Sequence, residues 1–137
     1  MKSKMLFRCS LIVLAAFCAG GMVLLARDAA ITVDGVITKR DGQFVSGINV
    51  RAVRNGKTID KTTSNKVDGG YSLRFAANGP FDLVFDEPDY QPAVLPALSG
   101  RENQIINKTM LLKSEQIDEG SRLAAEFATA YIRTVER

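Results

Sequence analysis

Histidine is missing from this chain altogether. That excludes histidine-dependent catalytic triads and imidazole metal sites. Cysteine is nearly missing too, since Cys9 and Cys18 both lie in an apolar stretch near the N-terminus. Beyond residue 26 the chain is thiol-free, so it uses no disulfide even where an oxidising compartment would permit one, and a structural zinc site is out of reach. Excess charge is also absent past that point. Of 18 Lys and Arg, three (Lys2, Lys4 and Arg8) fall in the first 26 residues, leaving 15 bases against 15 acids. The basic pI belongs to the N-terminal segment and gives no support to nucleic-acid binding. No cofactor is expected.

What is present begins with that segment. Three positive charges precede a charge-free run of 18 residues, Cys9 to Ala26, the pattern of an export signal. A signal would end between Arg27 and Ile31 and release a secreted or periplasmic protein. The run also reaches the lower limit of a membrane span, so a retained anchor over 1–26 is the alternative, and then the only membrane contact expected. Lipid attachment at Cys18 is a third route, although Phe17 stands where a lipoprotein box has a small residue.

The largest apolar payload lies between Asp68 and Phe85. Tyr71, Leu73 and Phe75 alternate with Ser72, Arg74 and Ala76, and after Asn78-Gly79-Pro80 the residues Phe81, Leu83 and Phe85 alternate with Asp82, Val84 and Asp86. Period-two patterning on both sides of a turn predicts a β-hairpin with one aromatic-rich face. Before it, Ile31, Val33, Gly35 and Ile37 mark a first strand, and Ile48, Val50 and Ala52 a second. Asn55-Gly56 then makes a hairpin turn into a third, because both turn residues accept positive φ. Pro88, Pro92 and Pro96 confine any strand around Ala93-Val94-Leu95 to a short or edge position. A last strand is expected from Gln104 to Leu112. Short strands with frequent turns predict a mainly β, antiparallel sandwich.

From residue 114 the period changes. Leu123, Ala124, Phe127, Ala128, Ala130, Tyr131 and Val135 fall on one side of a helix, and Arg122, Glu126 and Arg133 on the other. Ser114 is the expected N-cap of an amphipathic helix over 114–137.

Val33-Asp-Gly-Val-Ile37, Asp41-Gly-Gln-Phe-Val-Ser-Gly-Ile-Asn-Val50, Gly70-Tyr-Ser-Leu-Arg-Phe75, Gly79-Pro-Phe-Asp-Leu-Val-Phe85 and Asp89-Tyr90 come in a familiar order. Over about residues 31–112 the chain resembles the carboxypeptidase regulatory-like domain, a transthyretin-like, seven-stranded Greek-key sandwich close to collagen-adhesin B-type repeats. It departs at Phe44, commonly proline in that family, and at Gly79-Pro80, where Pro-Gly is commoner. The resemblance implies a non-catalytic accessory module on exported proteins. It does not extend to the transthyretin-like hydroxyisourate hydrolases, which depend on histidines.

Candidate sites are few. Asp86, Glu87 and Asp89 are the densest acids and the weak calcium candidates. Arg51, Arg54, Lys57 and Lys61 could form a positive strip. The adhesin resemblance raises a lysine–asparagine cross-link, for which Lys39 and Asn107 are nearest. Asn107-Lys108-Thr109 is a glycosylation sequon. Leu123, Phe127 and Tyr131 recur every four residues and form the candidate partner-binding face. The expected function is an exported, non-enzymatic module for protein binding, assembly or self-association through the C-terminal helix. A membrane-anchored structural or adhesive spacer is the alternative, and a carbohydrate- or calcium-binding module the remaining one. The helix could instead dock on its own sandwich.

Overall fold

The computed structural model describes residues 29–115 and 118–136. The leader expected over 1–26 lies outside the described residues. Among the described residues no helix is long and apolar enough to cross a membrane.

Among the described residues eight strands and one helix follow in chain order: β1 (Ala30–Lys39), β2 (Asn49–Arg54), β3 (Lys57–Thr63), β4 (Gly70–Ala76), β5 (Phe81–Asp86), β6 (Ala93–Leu98), β7 (Gln104–Ile105), β8 (Lys108–Met110) and α1 (Glu119–Val135). They build two sheets. One has β1 between β4 and the β7/β8 course, and the other runs β3-β2-β5-β6. The β2–β3 hairpin turns on Asn55 and Gly56, whose φ values of 52° and 75° are the left-handed pair that such a turn requires. β6 is an edge strand containing Pro96, as the prolines require.

The aromatic strands do not form a hairpin. β4 pairs with β1, Phe75 opposite Ile31, while β5 pairs with β2 and β6. Asn78-Gly79-Pro80 therefore carries the chain across the sandwich, from one sheet to the other. The reason is burial: two strands with all their large side chains on one face hide both faces at once when the faces oppose each other. Tyr71 meets Phe85 edge-on at 5.8 Å and Phe75 meets Phe81 at 4.8 Å, ring centre to ring centre. Ile31, Val33, Ile37, Ile48, Val50 and Ala52 complete the same core, as their alternation foretells.

The Arg54 guanidinium clamps the crossing. Its nitrogens donate to the carbonyls of Ala76 (3.1 Å), Gly79 (2.9 Å) and Pro80 (3.3 Å), and its carbon lies 5.7 Å from the centre of the Phe75 ring. Gly35 fits another tight place. A Cβ there would run into the Ile106 carbonyl, which accepts the Tyr71 hydroxyl at 2.5 Å.

Two further expectations change. The sandwich is not wholly antiparallel, because β7 and β8 both run parallel to β1. The single last strand expected over 104–112 is also broken at Ile106-Asn107. There Ile106 N–H donates to Asp34 O (2.8 Å), and Asn107 Oδ1 accepts the Val36 N–H (3.0 Å). An asparagine side chain thus replaces a backbone rung of the ladder. It also answers the cross-link question: Lys39 pairs with Met110, and the Asn107 carboxamide is engaged elsewhere.

Candidate functional site

Helix α1 begins later than Ser114. Its N-cap is Asp118, whose carboxylate accepts the Ser121 N–H at 2.8 Å. Hydrogen bonding from Ser121, by its side chain first and its backbone N–H second, holds the Asp118 carboxyl below its ordinary range. Ser114 lies instead in a turn, beside Glu115, which accepts the Leu112 N–H at 2.9 Å. An extended-to-helical switch at an aspartate followed by Glu119 satisfies the helix start better than a serine four residues upstream. On the solvent side Arg122 reaches both Glu119 and Glu126 at 3.1 Å. These exposed pairs support the helix only slightly.

The helix docks on the outer face of the β3-β2-β5-β6 sheet. Val53 and Val84 point outward from β2 and β5 and are fully buried, because Ile132 covers them with Val94, Tyr131 and Val135 packed around. Ala128 is the other buried helix residue. Ile132 lies about 100° round the helix from Tyr131, off the centre of the apolar arc read from the sequence. Two polar contacts fix the orientation. The Tyr131 hydroxyl donates to Asp82 Oδ2, while Asp82 Oδ1 accepts the Ala97 N–H at 2.9 Å. Burial, then the bond to Asp82, pushes the Tyr131 hydroxyl up from its ordinary value. Arg51 reaches Glu136 at 4.0 Å, close enough for attraction but too far for a hydrogen bond.

The apolar arc is wider than the surface it docks on. Leu123 and Phe127 remain 55% and 57% exposed, with Ala130 beside them, while Tyr131 stands half-buried at the boundary. The Phe127 and Tyr131 rings lie 6.3 Å apart. The three residues predicted as one face are therefore divided: Tyr131 anchors the helix, whereas Leu123 and Phe127 face solvent.

The other sequence candidates do not assemble. Arg51 points under the helix and Arg54 into the sheet crossing, which leaves only Lys57 and Lys61 of the expected positive strip exposed. Glu87 Oε2 accepts the Asp89 N–H at 2.8 Å, closing a local turn around Pro88. Among the described residues no group of three or more acidic side chains, Asp86, Glu87 and Asp89 included, is placed to hold a metal ion together. The role of Asn103 was not legible in the sequence. Its side chain accepts the Thr32 N–H at 2.9 Å and stitches the β1 edge as Asn107 does.

No family model and no curated protein matches this chain. Among solved structures it is similar to a chain in a type II cohesin–X-dockerin complex from Acetivibrio cellulolyticus, mutated at its C-terminal interface. Identity there is 16% and the TM-score 0.49, over 64% of this chain and 61% of that one. A chain in the N-terminal-interface mutant of that complex gives 14% identity and a TM-score of 0.48, over 77% of this chain and 93% of that one. At this distance neither likeness assigns a partner.

Proposed function

We propose that this chain is an exported, non-catalytic β-sandwich module that binds a protein partner through Leu123 and Phe127. The observation that carries the proposal is the division of the helix face. Ile132, Ala128 and Tyr131 dock α1 on the sandwich, and the docked helix presents a leucine and a phenylalanine one turn apart to solvent. Aromatic and aliphatic side chains at i and i+4 on a fixed helix are the anchors of helix-in-groove recognition. A pre-docked helix also loses little conformational entropy on binding. The exported location rests on residues 1–26. Kinship with carboxypeptidase regulatory-like modules rests on the order of the strand and turn motifs, and Tyr71, Phe75, Phe81 and Phe85 of those motifs form the aromatic centre of the core.

The test compares full-length protein with Leu123→Ser/Phe127→Ser, expressed from its own leader and cross-linked in the native envelope. Sedimentation of both purified forms runs alongside. A partner cross-link or self-association that is lost in the double variant, at unchanged melting temperature, is the expected result. Identical cross-links and identical sedimentation would sink the proposal. An intact mass that still includes residues 1–26 would move the module to the membrane surface.

A further inference from the structure

Lys108 stands where an apolar residue belongs. Along the β7/β8 course Ile106 packs on the core, Thr109 is exposed and Met110 is buried at 1% exposure. Within β8 the period of two sets Lys108 on the same face as the buried Met110. It lies half-buried at the edge where the sandwich opens between β8 and β6. A groove of about 340 Å³ fills that opening, walled by Val94 and Pro96 of β6, by Met110, and from above by Ala124 and Phe127 of α1. Burial pulls the Lys108 ammonium below its ordinary pKa, and the ion pairs among the described residues involve only Arg51 and Arg122 as cations. A half-buried cation in an apolar groove is relieved by an anion brought by a ligand.

The β6 wall narrows the choice of ligand. Pro92 and Pro96 have no N–H, the Ala97 N–H is taken by Asp82, and the Gln91 N–H by Leu111 O. An added peptide strand would find few backbone donors there. The occupant must be held by apolar contact along its length and by one charge at its end. We propose that this groove binds a single-chain aliphatic carboxylate, with the carboxylate on the Lys108 ammonium and the chain running beneath Phe127. The groove shares Phe127 with the protein-binding stripe, but its anchoring charge, Lys108, lies outside that stripe. An inward-pointing lysine can also serve merely to discourage edge pairing, a role that needs no ligand.

The test titrates full-length protein with octanoate, decanoate and dodecanoate, and with the matched primary alcohols, by calorimetry and by amide NMR shifts. Saturable one-site binding is expected, with affinity rising about fourfold per methylene until the groove is full. Shifts should centre on Thr109, Met110 and Ala124. Alcohols should bind at least about tenfold more weakly than acids, the discrimination an ion pair supplies. Lys108→Met should keep the fold and lose that discrimination, and Ala124→Trp should block the groove with Lys108 intact. Absence of saturable binding by dodecanoate, or equal affinity for acid and alcohol, overturns the proposal. So does a Lys108→Met protein that binds as wild type. If wild type binds nothing and Lys108→Met self-associates, the lysine is an edge guard and the ligand site does not exist.

Discussion

Ile132→Ala and Phe127→Ala remove apolar side chains five residues apart on one helix, and their effects should differ by most of the stability at stake. Ile132 is 8% exposed and covers Val53 and Val84, both at 0%. Truncating a buried isoleucine costs about 2–5 kcal/mol, and a site at a helix–sheet seam, free to relax on one side, belongs in the lower half of that range. With a urea m-value of about 1–2 kcal/mol/M, the expected loss moves the unfolding midpoint down by about 1–3 M. Phe127, at 57% exposure, has little contact to lose. Its replacement by alanine gains a few tenths of a kcal/mol in helix propensity, so its unfolding free energy should stay within about 0.5 kcal/mol of wild type. Urea titration of the full chain by circular dichroism reads both, with a hydrophobic dye reporting exposure of the Val53/Val84 surface. Equal shifts, or a larger shift for Phe127→Ala, would refute the division of the helix face into a docked and a free half.

Other outcomes follow from the same geometry. Phe75→Ala should cost about 3–5 kcal/mol, while Arg74→Ala on the exposed face of β4 stays within about 0.5 kcal/mol; denaturation in the reverse order would mean that the register of β4 is wrong. Gly35→Ala should destabilise through the Ile106 carbonyl, and Ile106 and Tyr71 should be the first residues to shift in its NMR spectrum. Tyr131→Phe should cost about 1 kcal/mol, a hydrogen bond to a carboxylate discounted for its partial exposure. The tyrosine hydroxyls also set an alkaline limit. Burial, aided by Asp34 at Tyr71 and by Asp82 at Tyr131, raises both folded values above the unfolded one. Their stabilisation is therefore complete below about pH 10 and is lost as pH climbs from there toward the folded values. The slope of stability against pH above that point should be shallower in Tyr131→Phe; an unchanged slope would remove Tyr131 from the account.

Side-chain pattern alone decided which residues go inside. Alternation along β1, β2, β4 and β5 named the core side chains, since a half-buried strand has only two faces. Asn55-Gly56 fixed a hairpin, because its backbone angles permit little else. The lack of histidine, and of any thiol past residue 26, excluded imidazole- and thiol-dependent chemistry there. Pairing was another matter. Tyr71 faces Phe85 and Phe75 faces Phe81 across the sandwich, the same partners that a hairpin centred on Asn78 would bring together. Local pattern cannot distinguish the two, and only the availability of β1 for β4, and of β2 for β5, decided for the crossing. The helix shows the same limit. Its apolar arc was legible, but how much of that arc would be covered depended on Val53 and Val84, outward-facing valines distant in sequence. Lys108 read only as the middle of a sequon in the expected last strand until tertiary structure set it, on the Met110 face of β8, at the mouth of a groove. Which face of a strand or helix a side chain takes is a local property; what covers that face is not, and the docked helix, the free stripe and the groove all belong to the second kind.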